Sequence, residues 1–545
     1  MGATAEVKKA EAEKGRIARA AGLVSAMTLV SRVLGLVREQ VFAALLGAGY
    51  YSDAFRIGFR IPNLLRDLFA EGALSAAFVP TYARTAKQDG HAEAFRLANR
   101  VLTLLAVVLA TLLLLGVVFA HPLVGALAPG FEREPGKAEL TVLLTRVMMP
   151  FLPLVSFAAV AMGMLNAEER FGIPALAPAL FNLVAIVWAA VLWAMGLPPE
   201  RVALGWAVGT LLGGLAQFLV QVPSLGRLGW RFRFDWAPRD PGLLRMVGLM
   251  APATVGLAAV QVNIFVNSIF ASQDTGAVSW LDYAFRLLNL PIGLFGVALG
   301  TIATAGLARR AAEGDMDGLR LTLRQALSML AYLTVPASVG LMVLGVPIIR
   351  LIYQHGRFRA EDTLPTATAL FLYSFGLVGY TGVKVLAPAF YALGRSRVPL
   401  VGSVLAVATN LVIVWIAYPR FGFRAIASGT STGSLLNAAI LIAAFERLVG
   451  GLRGQGFFRP IARMVVAAAV MGAATWASAA GLELWLGSRG LIARLATCLV
   501  PIAVGVGSYG LLTRWLGVGE AEALGRMLRD RLRTRPPRGE ACAGE

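Results

Sequence analysis

Charged side chains concentrate near the start of an otherwise very apolar chain. Residues 101–130 contain no Asp, Glu, Lys or Arg, and an Arg or Asp at the centre of a membrane helix costs about 2.5–3.5 kcal/mol. For one such residue, an arginine that reaches back to a helix end or a structural ion pair explains the charge as well as a polar cavity does. Nine together favour a polar cavity, and nine lie between residues 32 and 71: Arg32, Arg38, Glu39, Asp53, Arg56, Arg60, Arg66, Asp67 and Glu71.

The spacing of these residues places them on common helix faces. In the first apolar run Ser25, Thr28, Arg32 and Glu39 are separated by three, four and seven residues, and the polar series from 53 to 71 keeps spacings of three and four. A later helix repeats the pattern with an acid, an arginine and an amide, followed by glycines on the same face, for which close helix packing is the favoured interpretation. These residues are Asp282, Arg286, Asn289, Gly293, Gly296 and Gly300.

Arginine suits an anionic ligand in such a cavity, because its planar fork binds phosphate oxygens bidentately and stays charged when desolvated. We predict a phosphate-bearing substrate on which arginines from both halves of the chain converge: Arg32, Arg38, Arg66 and Arg286. The predicted supporting residues, whose acids would hold the arginine heads while the cavity is empty, are Glu39, Asp53, Arg60 and Glu71. No catalytic residue or metal ligand is predicted, since no Ser/His/Asp arrangement or metal-ligand spacing is present. An enzyme is therefore disfavoured.

The composition is that of a polytopic membrane protein. Of 545 residues 57% are hydrophobic and 15% charged, against about 25% charged in soluble domains, and the mean hydropathy is +0.69. Runs of about 20 apolar residues cross a bilayer as helices. We count fourteen, near 20–46, 52–83, 101–122, 140–166, 173–196, 202–224, 245–271, 278–307, 323–349, 364–393, 398–418, 424–446, 461–486 and 490–516.

The net charge of +19 is explained by topology and by anionic lipid headgroups, and not by nucleic acid. Basic residues lie at the N-terminus, in the loops that follow even-numbered predicted helices, and in the tail. The connections near 47–51, 197–201 and 272–277 nearly lack them. This pattern predicts that both termini are cytoplasmic. Residues 350–359 carry three arginines on the outer side as an exception. The only cysteines, Cys498 and Cys542, indicate no disulfide framework.

Three segments recur in the same order and indicate a duplication. Residues 53–62 match 282–291, residues 166–174 match 391–399, and residues 209–217 match 429–437. The offset of about 220–230 residues contains six predicted helices, so the two halves have the same orientation, as in transporters built from parallel repeats. The predicted domains are an N-terminal extension (1–19), an N-lobe of helices 1–6 (20–225), a C-lobe of helices 7–12 (240–449), helices 13–14 (458–517) and a cytoplasmic tail (518–545).

At these residues the chain resembles the MurJ (MviN) lipid II flippases of the MOP exporter superfamily. The motifs are Ser31-Arg-Val-Leu-Gly-Leu-Val-Arg38, Ser52-Asp-Ala-Phe, Ile61-Pro-Asn-Leu-Leu-Arg66 running into the segment 69–80, Tyr283-Ala-Phe-Arg286 and the segments 296–301 and 386–392. The resemblance covers roughly 16–517. It implies two MATE-like lobes, a groove for a polyprenyl tail formed by helices 13 and 14, and cavity roles for the four arginines and Asp53. It also implies alternating access that carries the pyrophosphate-linked peptidoglycan precursor across the cytoplasmic membrane, with the cell-wall synthesis machinery as a partner.

The chain departs from the family pattern at three places. Glu39 stands where members often have Asp, and Phe285 stands where some have an acid beside the helix-8 arginine. Helix 11 (398–418) lacks Asp and Glu, so sodium coupling is not expected. We predict no cofactor and a cycle driven by the membrane potential.

Three other functions stay open at this point. An exporter of another undecaprenyl-linked oligosaccharide, such as an O-antigen or capsule unit, fits the same motifs, because the sequence does not reveal the sugar. A MATE-like cation antiporter would need a cavity dominated by acids, whereas basic residues outnumber acidic ones five to four between 32 and 71. A membrane scaffold without transport activity would tolerate loss of the arginines.

Overall fold

The computed structural model describes residues 2–67, 73–451, 457–487 and 490–533, and every regular element in these ranges is helical. The α-helices are α1 (Gly2–Leu46), α2 (Tyr50–Arg66), α3 (Ala73–Gln88), α4 (His91–Val118), α5 (Ala120–Leu127), α6 (Lys137–Met148), α7 (Phe151–Ala167), α8 (Gly172–Ala194), α9 (Pro199–Leu219), α10 (Val222–Arg227), α11 (Pro241–Ala271), α12 (Ala277–Pro291), α13 (Ala298–Ala312), α14 (Met316–Val343), α15 (Gly345–Ile352), α16 (Ala360–Phe375), α17 (Leu377–Ala392), α18 (Arg397–Phe421), α19 (Phe423–Leu448), α20 (Phe458–Leu486), α21 (Leu491–Trp515) and α22 (Gly519–Arg533). A 3-10 helix (Pro129–Arg133) precedes α6, and a π-helix (Ile292–Val297) joins α12 to α13.

Eleven helical stretches among the described residues are long and apolar enough to cross a membrane. They coincide with eleven of the fourteen predicted runs, and the all-α polytopic class is confirmed. The other three runs lie in α1, in α2 with α3, and in α11. Helix α1 has three charges close together, residues 68–72 between α2 and α3 lie outside the described residues, and α11 contains the apolar segment Gln261–Ala271. The count of fourteen stays a prediction.

The chain forms two compact units. Unit 1 comprises Met1–Trp280 with Ile352–Asp362, and unit 2 comprises Leu281–Leu351 with Thr363–Glu545. The predicted lobes divide earlier, between residues 225 and 240. The difference arises because α11, which was assigned to the second lobe, packs against α3, α4 and α5 of unit 1.

The short segment 352–362 joins unit 1 through a close backbone contact. The Arg357 N–H donates to the Ala44 carbonyl at 2.8 Å. Gly356 has φ +59°, and a Cβ there would lie 2.3 Å from the Ala44 oxygen; Gly47 has φ +71°, and a Cβ there would lie 2.6 Å from the Arg357 oxygen. Only glycine combines this left-handed conformation with so close an approach.

Both predicted extensions contain helix. Helix α1 begins at Gly2, in a segment rich in Ala, Glu and Lys, which are strong helix formers. In the predicted tail, α22 occupies 519–533 and packs on α14 of unit 2. Val518 and Ala521 are buried there, and Ser328 donates a hydrogen bond to Glu520. An apolar stripe on one face of α22 explains this docking.

The glycine face of the second repeat lies against α17 in unit 2. A Cβ on Gly296 would lie 3.0 Å from a Thr381 methyl carbon, and one on Gly300 would lie 2.8 Å from the Lys384 carbonyl oxygen. Close packing is confirmed for these two glycines. The π-helix that contains Gly296 begins directly after Pro291, where proline interrupts the regular hydrogen-bonding pattern.

Candidate substrate site

Two arginines meet one carboxylate between α1 and α2. The Arg38 guanidinium lies 2.8 Å from Glu39 Oε1, and Arg56 Nη2 lies 3.5 Å from Glu39 Oε2. Glu39 and Arg56 are buried, and Arg38 is partly buried. Glu39 thus contacts two arginine heads, and its role of holding them in an empty cavity stays a prediction. We call Arg38, Glu39 and Arg56 the Glu39 network.

Arg56 was among the nine charged residues but not among the predicted site residues. Its Cζ lies 4.9 Å from the Phe42 ring centre, a cation–π contact that stabilises a guanidinium away from water. Arg60 lies four positions after Arg56 on α2, so the two follow each other along one helix face. This spacing could have identified Arg56, because by sequence alone Arg56 is equivalent to Arg60, which was predicted.

Helix α8 supports the arginine-bearing part of α1. The Phe181 ring lies 5.2 Å from Arg38 Cζ. The neighbouring Asn182 donates a hydrogen bond to the Ser31 carbonyl at 3.0 Å, and its side chain lies 3.5 Å from the Cβ position of Gly35. The absence of a side chain at Gly35 therefore lets α8 approach α1 between the two predicted arginines. Arg32 itself is exposed.

The far end of α2 holds a second arginine–acid pair. Arg66 Nη2 lies 2.8 Å from Asp67 Oδ1, and Gln261 of α11 donates to the other Asp67 oxygen at 3.4 Å. Both charged side chains are partly exposed. Arg66 therefore has an acidic neighbour in its own helix region, although Asp67 was not among the predicted supporting residues. Glu71, which was, lies outside the described residues.

Asp53 does not support an arginine. Its carboxylate is fully buried and accepts hydrogen bonds from the Gly276 N–H at 2.7 Å, from the Ser279 N–H at 3.0 Å and from the Ser279 hydroxyl at 2.6 Å. Lys137 Nζ lies 3.3 Å away. The prediction that Asp53 holds an arginine is wrong. The Asp53 carboxylate lies at the N-terminus of α12, where it is stabilised by the free N–H groups and by the positive end of the helix dipole.

Lys137 is a further residue that sequence reasoning missed. Its side chain is 0% exposed, contacts Glu134 Oε1 at 2.8 Å in addition to Asp53, and lies 4.3 Å from the Phe131 ring centre. Burial alone would raise the pKa of Glu134, but hydrogen bonds from Lys137 and Thr275 lower it below its ordinary value. Lys137 therefore lies between the carboxyl groups of Asp53 and Glu134. Its only sequence signal is a lone lysine just before an apolar run.

Arg60 lies apart from the Glu39 network, although it was predicted to support the same cavity. Its Nη1 donates to the Ser268 hydroxyl of α11, and its side chain lines an apolar cavity between α2, α4, α5 and α11. The three predicted arginines of unit 1 thus have different surroundings. Arg32 is exposed, Arg38 is bound to Glu39, and Arg66 is bound to Asp67.

Arg286 lies in unit 2 and is paired within its own helix. Its Nε lies 2.7 Å from Asp282 Oδ2, one turn earlier, and the pair is partly exposed. Phe285, which replaces the acid of some family members, packs edge-on against Tyr373 and Tyr380. Asp282 therefore supplies the acidic neighbour that position 285 lacks. Within the described ranges no three His, Cys, Asp or Glu side chains are grouped as a metal site would require.

Comparison with known proteins identifies the family. A family model described as "Lipid II flippase MurJ" matches residues 42–489. A probable lipid II flippase MurJ of Vibrio cholerae is 35% identical over 519 residues, which cover 92% of this chain and 97% of the relative. The lipid II flippase MurJ of Burkholderia cenocepacia is 36% identical over 501 residues, covering 89% and 95%.

Solved structures agree with this assignment. A lipid II flippase MurJ in an inward closed conformation superposes with a TM-score of 0.74 at 25% identity, over 91% of this chain and 99% of that one. An inward-facing MATE-family multidrug transporter of the MOP superfamily superposes with a TM-score of 0.65 over 79% and 99%, but at 16% identity it shows the fold alone. Together with the family model and the relatives, these matches establish that the chain belongs to the lipid II flippase MurJ family.

Proposed function

We propose that the protein moves lipid II, the pyrophosphate-linked peptidoglycan precursor, from the inner to the outer leaflet of the bacterial cytoplasmic membrane by alternating access. Family membership makes it a multi-pass membrane transporter of cell-wall biogenesis and not an enzyme. The observation that supports an anionic ligand is the Glu39 network, in which two guanidinium groups meet one carboxylate between α1 and α2.

The pyrophosphate is assigned to arginines because of their chemistry. A guanidinium presents paired N–H groups that match two phosphate oxygens, and it stays protonated in a water-poor environment. Arg38 is already oriented by Glu39 and the Phe181 ring. We assign substrate contacts to Arg38, with Arg32, Arg66 and, in unit 2, Arg286 as further ligands. The polyprenyl tail is assigned to α20 and α21, whose outward faces are strongly apolar, with Trp485 and Trp515 more than four-fifths exposed.

The membrane potential is the proposed driving force. With a negative cytoplasm, each exported negative charge gains about 2.3 kcal/mol per 100 mV, so that a diphosphate of about two charges is driven outward without a coupled cation. Helix α18 contains Arg397 and Arg420 but no acid, which agrees with a cycle that does not use sodium. Imposing a potential on sodium-free proteoliposomes should accelerate transport, and an unchanged rate would reject this mechanism.

Transport of labelled lipid II in proteoliposomes tests the function itself. Replacing Arg38 or Arg286 by alanine removes a charge-assisted contact worth about 1.5–3 kcal/mol, which corresponds to an initial rate about 10- to 100-fold lower. Arg38→Lys should give an intermediate rate, because it keeps the charge and loses the fork. Arg309→Ala is the matched control, since that side chain is 71% exposed at the end of α13. Equal rates for all variants would refute the assignment, and so would transport of another undecaprenyl-linked glycan in preference to lipid II.

The orientation of the termini is also a proposal. The distribution of Lys and Arg favours both termini in the cytoplasm. Labelling of single cysteines introduced near residues 5 and 540 by a membrane-impermeant thiol reagent on intact spheroplasts should fail, and should succeed after permeabilisation. Association with cell-wall synthesis enzymes stays a prediction from the family.

A further inference from the structure

The connection between α10 and α11, residues 228–240 of unit 1, exposes aromatic and basic side chains next to each other. Phe232, Phe234 and Trp236 are 53%, 69% and 52% exposed. Five exposed arginines lie in the connection or directly beside it: Arg227, Arg231, Arg233, Arg239 and Arg245. A cluster of exposed apolar side chains surrounded by polar ones marks a site of contact with a protein or a membrane.

The acidic groups of the connection are bound inside the protein, whereas its arginines are not. Arg100 of α4 donates to Asp235 at 3.0 Å and to Asp240 at 2.8 Å, and Asp240 also caps α11 through the Leu243 N–H. These two are the only acids between residues 227 and 245. Among the residues that the structure describes, none of the five arginines forms an ion pair. The outer surface of the connection is therefore strongly cationic.

Helix α4 fixes the place of the connection. The Asn99 side chain accepts a hydrogen bond from Trp230 Nε1 at 3.1 Å and donates one to the Arg231 carbonyl at 3.2 Å. The Thr103 hydroxyl accepts from the Asp235 N–H at 3.1 Å. Trp230 is buried. The connection thus runs alongside one turn of α4 and is anchored there by a buried ring.

That turn of α4 lies where the helix loses its charged residues. Within the membrane-crossing stretch His91–Val118, all charges lie in the first ten residues and 101–118 has none. The stretch Pro199–Arg227, which leads into the connection, is uncharged from 202 to 226. Because charges are costly in hydrocarbon, the edge of the hydrocarbon falls where each uncharged stretch ends. The connection follows one of these ends and contacts the other, so it lies at the level of lipid headgroups.

We propose that the α10–α11 connection binds anionic phospholipids of the adjacent leaflet, with its three exposed rings among the headgroups and its arginines on the phosphates. Aromatic and basic side chains are the ones that favour this level of a bilayer, and a guanidinium binds phosphate oxygens through paired N–H groups. A lipid surface is favoured over an acidic protein, because two membrane-crossing stretches place the connection against headgroups. The proposal does not depend on lipid II transport.

A fluorescent label at residue 234 tests this contact. Phe234→Cys is labelled with bimane in a full-length Cys542→Ser background, since Cys498 is buried. The protein is reconstituted in phosphatidylcholine vesicles that contain increasing fractions of phosphatidylglycerol. Lipid with a nitroxide close to its headgroup should quench the label at least twofold more strongly when phosphatidylglycerol is present. Raising the salt concentration from 0.1 to 1 M should remove most of this difference, because screening then acts within about 3 Å.

Two double variants with the same loss of charge separate this surface from general basicity. Arg231→Gln/Arg233→Gln should lower the apparent affinity for phosphatidylglycerol about 20- to 30-fold, since each arginine near an anionic surface contributes about fivefold. Arg395→Gln/Arg397→Gln is the matched control, because these arginines are also exposed but lie in unit 2; it should leave the quenching at residue 234 unchanged. Unchanged unfolding midpoints show that both variants are folded.

Three results would overturn the proposal. They are equal quenching with and without phosphatidylglycerol, equal losses in the two double variants, and quenching of the label by aqueous iodide in vesicles rich in phosphatidylglycerol. The last result would leave a protein as the occupant of this surface. Because the readout is lipid contact at residue 234, loss of lipid II transport in any variant leaves the result intact.

Discussion

Replacing Asp53 by alanine should destabilise unit 1 strongly, and Lys137 should account for part of the loss. Both side chains are 0% exposed. The substitution removes four accepted hydrogen bonds, one of them from Lys137, and leaves a buried ammonium group with Glu134 as its carboxylate partner. Breaking a buried pair by removing one partner costs about 3–5 kcal/mol. We expect Asp53→Ala to fall in this range.

The reverse substitution should cost less. Lys137→Ala removes the contacts to Asp53 and Glu134, but it leaves Asp53 with three hydrogen-bond donors from Gly276 and Ser279. The loss should therefore be smaller, about 1.5–3 kcal/mol. The double variant Asp53→Ala/Lys137→Ala should be more stable than the sum of the two single losses predicts, by about 0.5–3 kcal/mol, because residues in direct contact couple.

Reversible denaturant titration of the protein in detergent measures this cycle. Asp317→Ala serves as the control: Asp317 pairs with Arg320 at 2.7 Å but is 92% exposed, so its loss should cost at most about 1 kcal/mol. If Asp53→Ala costs no more than this control, or if the two single losses add within about 0.3 kcal/mol, the reasoning that burial makes this pair important is refuted.

Asn182→Ala should lower the initial rate of lipid II transport about 2- to 10-fold, because it removes the hydrogen bond to α1, worth about 0.5–1.5 kcal/mol; a wild-type rate in proteoliposomes would contradict a positioning role. Gly300→Ala should destabilise unit 2 by about 1–3 kcal/mol through overpacking, whereas Gly340→Ala, with no atom within 4 Å of its Cβ position, should not destabilise it; equal unfolding midpoints would disprove the close contact. Arg350→Ala should change the unfolding free energy by at most about 1 kcal/mol, since its partner Glu483 is 46% exposed despite a 2.6 Å contact; a loss above 2 kcal/mol would show that exposure does not weaken this pair.

The two repeats show how similar sequences acquire different contacts. Asn182 and Asn410 occupy matching positions and are each followed by Leu-Val. In unit 1 Asn182 donates to the backbone of α1, whereas in unit 2 Asn410 accepts a hydrogen bond from Thr430 of α19. Phe181, which contacts Arg38, is matched by Thr409. The contact between an aromatic ring of this helix and Arg38 is therefore specific to the first repeat.

The sequence by itself determined the class of the protein, because a run of about 20 apolar residues can satisfy its backbone in a bilayer only as a helix. The same local rules identified the arginine-bearing faces and the glycine face at 296–300, since both depend on residues three and four apart. The motifs around Arg32, Arg38 and Arg286 were sufficient to indicate the family.

Only the tertiary structure decided which charges meet. Asp53 pairs with Lys137, 84 residues away, and caps α12, more than 220 residues away; no spacing rule links such positions. It also placed α11 in unit 1 and separated Arg60 from the Glu39 network. The physical reason is that a buried ionic group is stabilised by whichever donors surround it in space, and helix periodicity specifies the face a side chain occupies but not the helix that packs against that face.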